Sequence, residues 1–184
     1  MNQVAFLLDL DRCIGCHACR VACQVHNDTT PEVNWRQVMS REAGRFPEVV
    51  QYNLSLACNH CERPACMAVC PTDVIVKRER DGIVFIDANR CNGCERCLGA
   101  CPYGAPQRVP GQDRVSKCDF CWARQDAGLV PVCVETCVGG ALQFGRLDQV
   151  EQLAAGRQLH RRSDGFFDPD WTRPAIRFIK AGVE

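Results

Sequence analysis

Residues 13–23 read CIGCHACRVAC, four thiols within eleven residues. Thiolates at this density bind metal, and three chemistries compete for them. Cys13-Ile-Gly-Cys16-His17 has the form of a c-type haem attachment site, while the four cysteines together suit zinc or an iron–sulfur cluster. Haem would leave Cys19 and Cys23 without partners and would require a haem-loading compartment. Zinc uses C-x-x-C pairs joined by longer loops, whereas here a third cysteine follows at once. The iron–sulfur reading accounts for all four.

The chain holds sixteen cysteines, in four groups of four with none left over. They are Cys13, Cys16, Cys19 and Cys23; Cys58, Cys61, Cys66 and Cys70; Cys91, Cys94, Cys97 and Cys101; and Cys118, Cys121, Cys133 and Cys137. Groups one and three have the spacing C-x2-C-x2-C-x3-C of the bacterial ferredoxin run, and Pro102 follows group three. Groups two and four stretch it, with four and eleven residues before the third cysteine. In such a run three thiolates wrap one cubane, and a short helix carries the fourth cysteine to a different cluster. Groups therefore complete one another in pairs. Residues 58–104 read as an inner two-cluster unit, with Cys58, Cys61, Cys66 and Cys101 on one cluster and Cys91, Cys94, Cys97 and Cys70 on the other. The outer groups then pair around it: Cys13, Cys16, Cys19 and Cys137 on one cluster, Cys118, Cys121, Cys133 and Cys23 on another.

These ligands need small elements to position them. Val74–Lys77 and Ile83–Asp87 are β-rich runs on either side of Asp81-Gly82, which predicts a hairpin inside the inner unit. Val4–Leu10 and Ala141–Phe144 lie just outside the outer cysteines and predict strands of an outer sheet. The alternation Val50, Tyr52, Leu54, Leu56 predicts a strand entering group two. The expected fold is α+β: two ferredoxin-like units, one inserted in the other, with small sheets, short helices and long loops. Residues 1–57 and 105–147 form the outer unit and 58–104 the inner one. The cysteine-free remainder, 148–184, predicts a helix over Leu147–Leu159, then the basic run His160-Arg-Arg162 and the closing FFDPDWTRPAIRFIKAGVE. Its aromatics and prolines suggest a docking tail along a partner.

Composition narrows the function further. Of 184 residues 46% are hydrophobic, but sixteen of these are cysteines, so the apolar core is smaller than the figure suggests and metal must supply part of the stability. Lys plus Arg equals Asp plus Glu at 22 each, which gives no footprint for nucleic acid. No run approaches the roughly eighteen apolar residues of a membrane span, and MNQVAFLLDLDRC lacks the charged and apolar regions of an export signal. Synthesis in a reducing cytoplasm is expected, where dense cysteines are ligands rather than disulfides. There is no G-x-G-x-x-G, P-loop or H-E-x-x-H, and histidines 17, 26, 60 and 160 form no spaced ligand pair. No catalytic residue is expected. Arg12, Arg90 and Lys117 directly precede cysteine groups, and Arg20 and Arg96 lie inside them, as candidates for tuning cluster potentials.

The order and spacing of the groups, with the segments DRCIGCHACRVAC, TPEVNWRQV, LSLACNHCERPAC, CPYGAPQ and SKCDFCWARQDAGLVPVCVETC, resemble the iron–sulfur electron-transfer subunit of the molybdopterin oxidoreductases. The likeness is greatest to the B subunits of dimethyl sulfoxide reductase and polysulfide reductase. It covers residues 4 to about 147 and is loose beyond. The resemblance implies four [4Fe-4S] clusters relaying single electrons between a large catalytic subunit carrying molybdenum or tungsten on pterin and an integral-membrane, quinone-binding subunit. It also implies attachment to the membrane through these partners, on a side the sequence leaves open. Some relatives replace one cysteine of the third group, but here Cys94 and its neighbours are all present. Two related readings stay open: the electron-transfer subunit of a formate dehydrogenase or hydrogenase complex, and a free soluble polyferredoxin. The second leaves the 34-residue insertion between Cys23 and Cys58 and the cysteine-free tail without a use.

Overall fold

The computed structural model describes residues 2–163 and 166–180. In chain order its elements are β1 (Val4–Asp9), α1 (Ala18–His26), β2 (Gln37–Arg45), β3 (Glu48–Leu56), α2 (Ala65–Ala68), β4 (Ile75–Lys77), β5 (Val84–Ile86), α3 (Arg96–Ala100), β6 (Gln107–Arg108), β7 (Val115–Ser116), α4 (Trp122–Asp126), α5 (Val132–Glu135), β8 (Leu142–Arg146), α6 (Val150–Leu153), β9 (Leu159–His160), α7 (Pro169–Thr172) and β10 (Ile176–Ile179). This is the small-sheet, short-helix α+β architecture that the cysteine spacing demands. Among the described residues no helix is long and apolar enough to cross a membrane.

The sequence VAFLLD is apolar at five of its six positions, which suits a strand covered on both faces. β1 is that strand: it lies inside a four-stranded sheet of order β8-β1-β10-β9, antiparallel to β8 and parallel to β10. Because side chains alternate along a strand, its residues serve two cores. Phe6 and Leu8 join Phe120, Leu142, Phe178, Cys19 and Cys133 on the cysteine side. Ala5 and Leu7 pack with Val150, Ala154 and Ile179 on the other. Phe6 and Phe120 stack with ring centroids 4.0 Å apart and planes 6° from parallel.

The hairpin in residues 58–104 is β4–β5, paired from Ile75↔Ile86 to Lys77↔Val84. Its turn abuts the sheet, since the Val4 N–H donates to the Asp81 carbonyl at 2.9 Å. Gly82 has φ +71°, a left-handed conformation that favours glycine, and a Cβ there would also displace the end of the Gln3 side chain. β2 and β3 form a separate long hairpin, in register from Gln37↔Leu56 to Arg45↔Glu48.

The helix expected over Leu147–Leu159 is much shorter. A 3-10 turn over Leu147–Gln149 leads into α6, which ends at Leu153, because Ala155 and Gly156 adopt left-handed backbone at φ 51° and 80°. Residues beyond it run back across the molecule. β9 and β10 supply two of the four sheet strands, and α7 sits against the segment around Cys61, where the N–H groups of Glu62 and Arg63 donate to the carbonyls of Arg173 and Thr172. Phe167 and Trp171, 5.1 Å apart, remain exposed on this stretch.

Candidate functional site

Each C-x3-C ending begins on a short helix: Cys19 and Cys23 on α1, Cys66 on α2, Cys97 on α3 and Cys133 on α5. The loops that lead into α1 and α3 share a backbone device. Gly15 and His17 are left-handed at φ 69° and 61°, and Gly93 and Glu95 repeat this at 67° and 60°. Such turns curl the chain so that its N–H groups face inward, forming a concave cradle for negative charge.

Three cavities are walled by cysteine quartets. Cys13, Cys16, Cys19 and Cys137 border one with about 370 Å³ of atom-free space. Cys58, Cys61, Cys66 and Cys101 border one of about 360 Å³, and Cys70, Cys91, Cys94 and Cys97 one of about 300 Å³. The remaining four are also neighbours: Cys23 feels Cys121 and Cys133, and Cys118 feels Cys23. All sixteen cysteines are unpaired thiols. Among the described residues no three His, Cys, Asp or Glu side chains converge closely enough to hold one bare ion. The thiols surround volumes rather than points, which suits a multinuclear cluster.

Electrostatics agree with a cofactor in these cradles. Burial pushes the Cys23, Cys61 and Cys66 thiols up to about 12, and Cys97 and Cys121 to about 11. Burial also drives the Cys118 thiol well above its ordinary value, and neighbouring cysteines add like-charge repulsion. Four buried thiolates cannot coexist without a compensating cation, and bound iron is such a charge. Cys70 goes the other way. Its slight burial acts upward, but the N–H groups of Thr72, Val74 and Ile75 hold it below the ordinary thiol value.

Donors already point at sulfur. The Phe120 N–H donates to Cys118 Sγ at 3.4 Å and the Leu142 N–H to Cys137 Sγ at 3.3 Å. His60 is fully buried, and its Nδ1 accepts from the Val84 N–H at 3.0 Å. Burial, then Lys117 and Lys77, hold its pKa well below the usual value, so the neutral ring carries its proton on Nε2, which lies 3.8 Å from Cys118 Sγ. The quartets also touch in sequence. α1 packs on α5, bringing Cys19 beside Cys133. Cys58 neighbours Cys118 in one small core, and Cys66 and Cys97 share another. The run is linear, and its two ends carry the two exposed cysteines, Cys16 and Cys94.

Of the five cations singled out from sequence, Lys117 is buried, its ammonium donating to the carbonyls of Val84 and Cys118. Arg20 is tied to Asn34 Oδ1 at 2.6 Å, whereas Arg12, Arg90 and Arg96 are exposed. His17 is exposed too. Sequence reasoning missed Arg36, Ser55, His60 and Thr172. His60 lies between Cys58 and Cys61, a position that could have drawn attention; the other three had no local signal.

A 4Fe-4S dicluster domain profile matches residues 49–147, and a 4Fe-4S binding domain profile matches residues 5–25. With the quartet-lined cradles between small sheets, these define a ferredoxin-like 4Fe-4S protein. The chain is 43% identical over 172 residues to the B chain of the anaerobic dimethyl sulfoxide reductase of Escherichia coli, covering 87% of this chain and 83% of that one. It is 41% identical to the B subunit of the tetrathionate reductase of Salmonella typhimurium, covering 97% and 72%, and 37% identical to the thiosulfate reductase electron transfer subunit of Salmonella typhi, covering 89% and 87%. The protein belongs to the family of iron–sulfur B subunits of dimethyl sulfoxide reductase-type oxidoreductases.

Proposed function

We propose that this chain holds four [4Fe-4S] clusters and relays single electrons between a molybdenum- or tungsten-pterin catalytic subunit and a quinone-reactive membrane subunit. The ligand sets are Cys13, Cys16, Cys19 and Cys137; Cys118, Cys121, Cys133 and Cys23; Cys58, Cys61, Cys66 and Cys101; and Cys91, Cys94, Cys97 and Cys70. Residues 1–57 with 105–147, and residues 58–104, act as outer and inner ferredoxin-like units, and the stretch expected as a docking tail, 148–184, instead completes the outer sheet through β9 and β10 while offering Phe167 and Trp171 to a partner. The observation that carries the reading is the linear run of quartets with an exposed cysteine at each end. When bound, a [4Fe-4S] cluster takes up and returns one electron without making or breaking a bond, so the chain contributes distance and potential.

The residues around each quartet set those properties. Apolar walls exclude water, and the N–H groups of Phe120 and Leu142 favour the thiolate form of Cys118 and Cys137. At one end Ile14 and Val138 stand 69% and 75% exposed beside Cys13, Cys16 and Cys137, an apolar rim fitted to a partner surface. The chain has no catalytic role of its own, and membrane attachment comes through its partners. The names of the relatives, which are chains or subunits of reductases, support the catalytic partner.

The test is metal analysis of the complex isolated anaerobically on a tag carried by this chain. About sixteen irons from this subunit, plus molybdenum or tungsten from a large partner, are expected. Iron without such a partner would point to a free polyferredoxin, and zinc in place of iron would overturn the reading.

A further inference from the structure

Arg36 is the largest fully buried side chain among the described residues, 2% exposed, and a guanidinium keeps its charge at any physiological pH. Buried arginines are normally paired with carboxylates, because an uncompensated charge in a dry interior is strongly unfavourable. Here Nη1 donates to the Ser55 carbonyl and to Ser55 Oγ, both at 3.1 Å, and the guanidinium carbon lies 4.5 Å from the Phe6 ring centroid. Nε and Nη2 meet no oxygen or nitrogen acceptor among the described residues, and the remaining hydrogen bonding of the guanidinium reaches the Cys133 thiol. The titratable groups that surround Arg36 are cysteines from both outer quartets, Cys133, Cys118 and Cys23 from one and Cys19 from the other, which become negative only as thiolate ligands. Ser55 completes the link, since its hydroxyl is also 3.3 Å from Cys19 Sγ. This cation thus stands between the two sets of thiols, while the other buried cation beside them, Lys117, turns its ammonium to the carbonyls of Val84 and Cys118.

Resting on the cluster assignment above, we propose that Arg36 is the shared counter-charge of the two outer clusters, a positioning residue that raises both reduction potentials together. Added positive charge and donors near a cluster's sulfur stabilise the reduced, more negative state. One residue beside both sites moves them in parallel, which leaves the difference between their potentials unchanged.

The test is an EPR-monitored redox titration, with iron analysis, of the anaerobically isolated complex carrying wild-type chain, Arg36→Gln or Arg36→Lys. Arg36→Gln should lower two of the midpoint potentials together, each by at least a tenfold change in oxidised-to-reduced ratio, or about 59 mV for one electron. The other two should stay in place, and Arg36→Lys should restore most of the shift. Full iron content with four unmoved potentials in Arg36→Gln would overturn the proposal. If Arg36→Gln loses iron, Arg36→Lys decides: normal loading at near wild-type potentials upholds the charge, and equal loss of iron shows that shape rather than charge is needed, which overturns it. A wild-type sample without four one-electron centres would instead sink the cluster assignment itself.

Discussion

The segment around β1 and the segment carrying the β4–β5 hairpin hold their cysteines by different means. Around β1 a stacked Phe6–Phe120 pair, Leu8, Leu142 and Phe178 build a core in which aromatic and aliphatic side chains outnumber Cys19 and Cys133. The hairpin segment has two strands of three residues, helices of four and five, and a core in which Cys66 and Cys97 stand with Val74, Ile75, Val84 and Val115. A two-stranded hairpin of that size is not stable in water by itself. The sheet side can therefore present thiols to incoming iron, whereas on the hairpin side iron and fold must arrive together.

The largest effect that could break this contrast comes from removing iron with a chelator. Hydrogen exchange should show all protection lost over residues 74–86 while β1, β8 and β10 keep a measurable part of theirs. Equal exchange in both regions would mean that the aromatic core also depends on metal. Phe6→Ala should come next, costing about 3–5 kcal/mol in the loaded protein, as a lowered denaturant midpoint. Ile75→Val in the hairpin should cost only about 0.5–1.5 kcal/mol, and a reversal of that order would contradict the assignment of strength to the sheet side.

Smaller changes sharpen the boundary between the two. Thr172 bonds the Tyr103 hydroxyl at 2.9 Å and also holds the Cys61 thiol down, against the burial that raises it, so it ties the returning tail to the hairpin segment. Thr172→Val should cost about 1 kcal/mol and perturb the spectrum of the Cys61 site alone. The exposed Arg173–Glu62 ion pair, 2.9 Å long, spans the same seam. Glu62→Gln should cost no more than about 1 kcal/mol, and less as salt is added. A larger loss there would show that the seam is rigid and desolvated.

What was legible in the sequence was mostly local. Cysteine spacing brings each run of thiols together because only a few backbone bonds separate them, and the runs Val4–Leu10 and Ala141–Phe144 and the Asp81-Gly82 turn point to β1, β8 and the β4–β5 hairpin, though β8 begins at Leu142 and continues to Arg146. β10 was not legible, because its partner in the parallel pairing Phe6↔Ile176 lies at the other end of the chain and no spacing rule reaches that far. β2 was hidden for the opposite reason: QVMSREAGR is largely exposed and shows no alternation to recognise. Arg36 reads as one more surface charge in NWRQV. Its burial comes from Phe6, Ser55 and the two outer quartets closing over it, a set assembled from distant parts of the chain.

The parallel contact between β1 and β10 also sets a schedule. During synthesis β1 leaves the ribosome first and must wait, one edge unpaired, until residues 176–179 have been made. Through that interval all sixteen thiols are present while the strand that closes the sheet is not. A nascent chain halted before residue 179 would offer a bare strand edge, the form most open to aggregation or to capture by a chaperone.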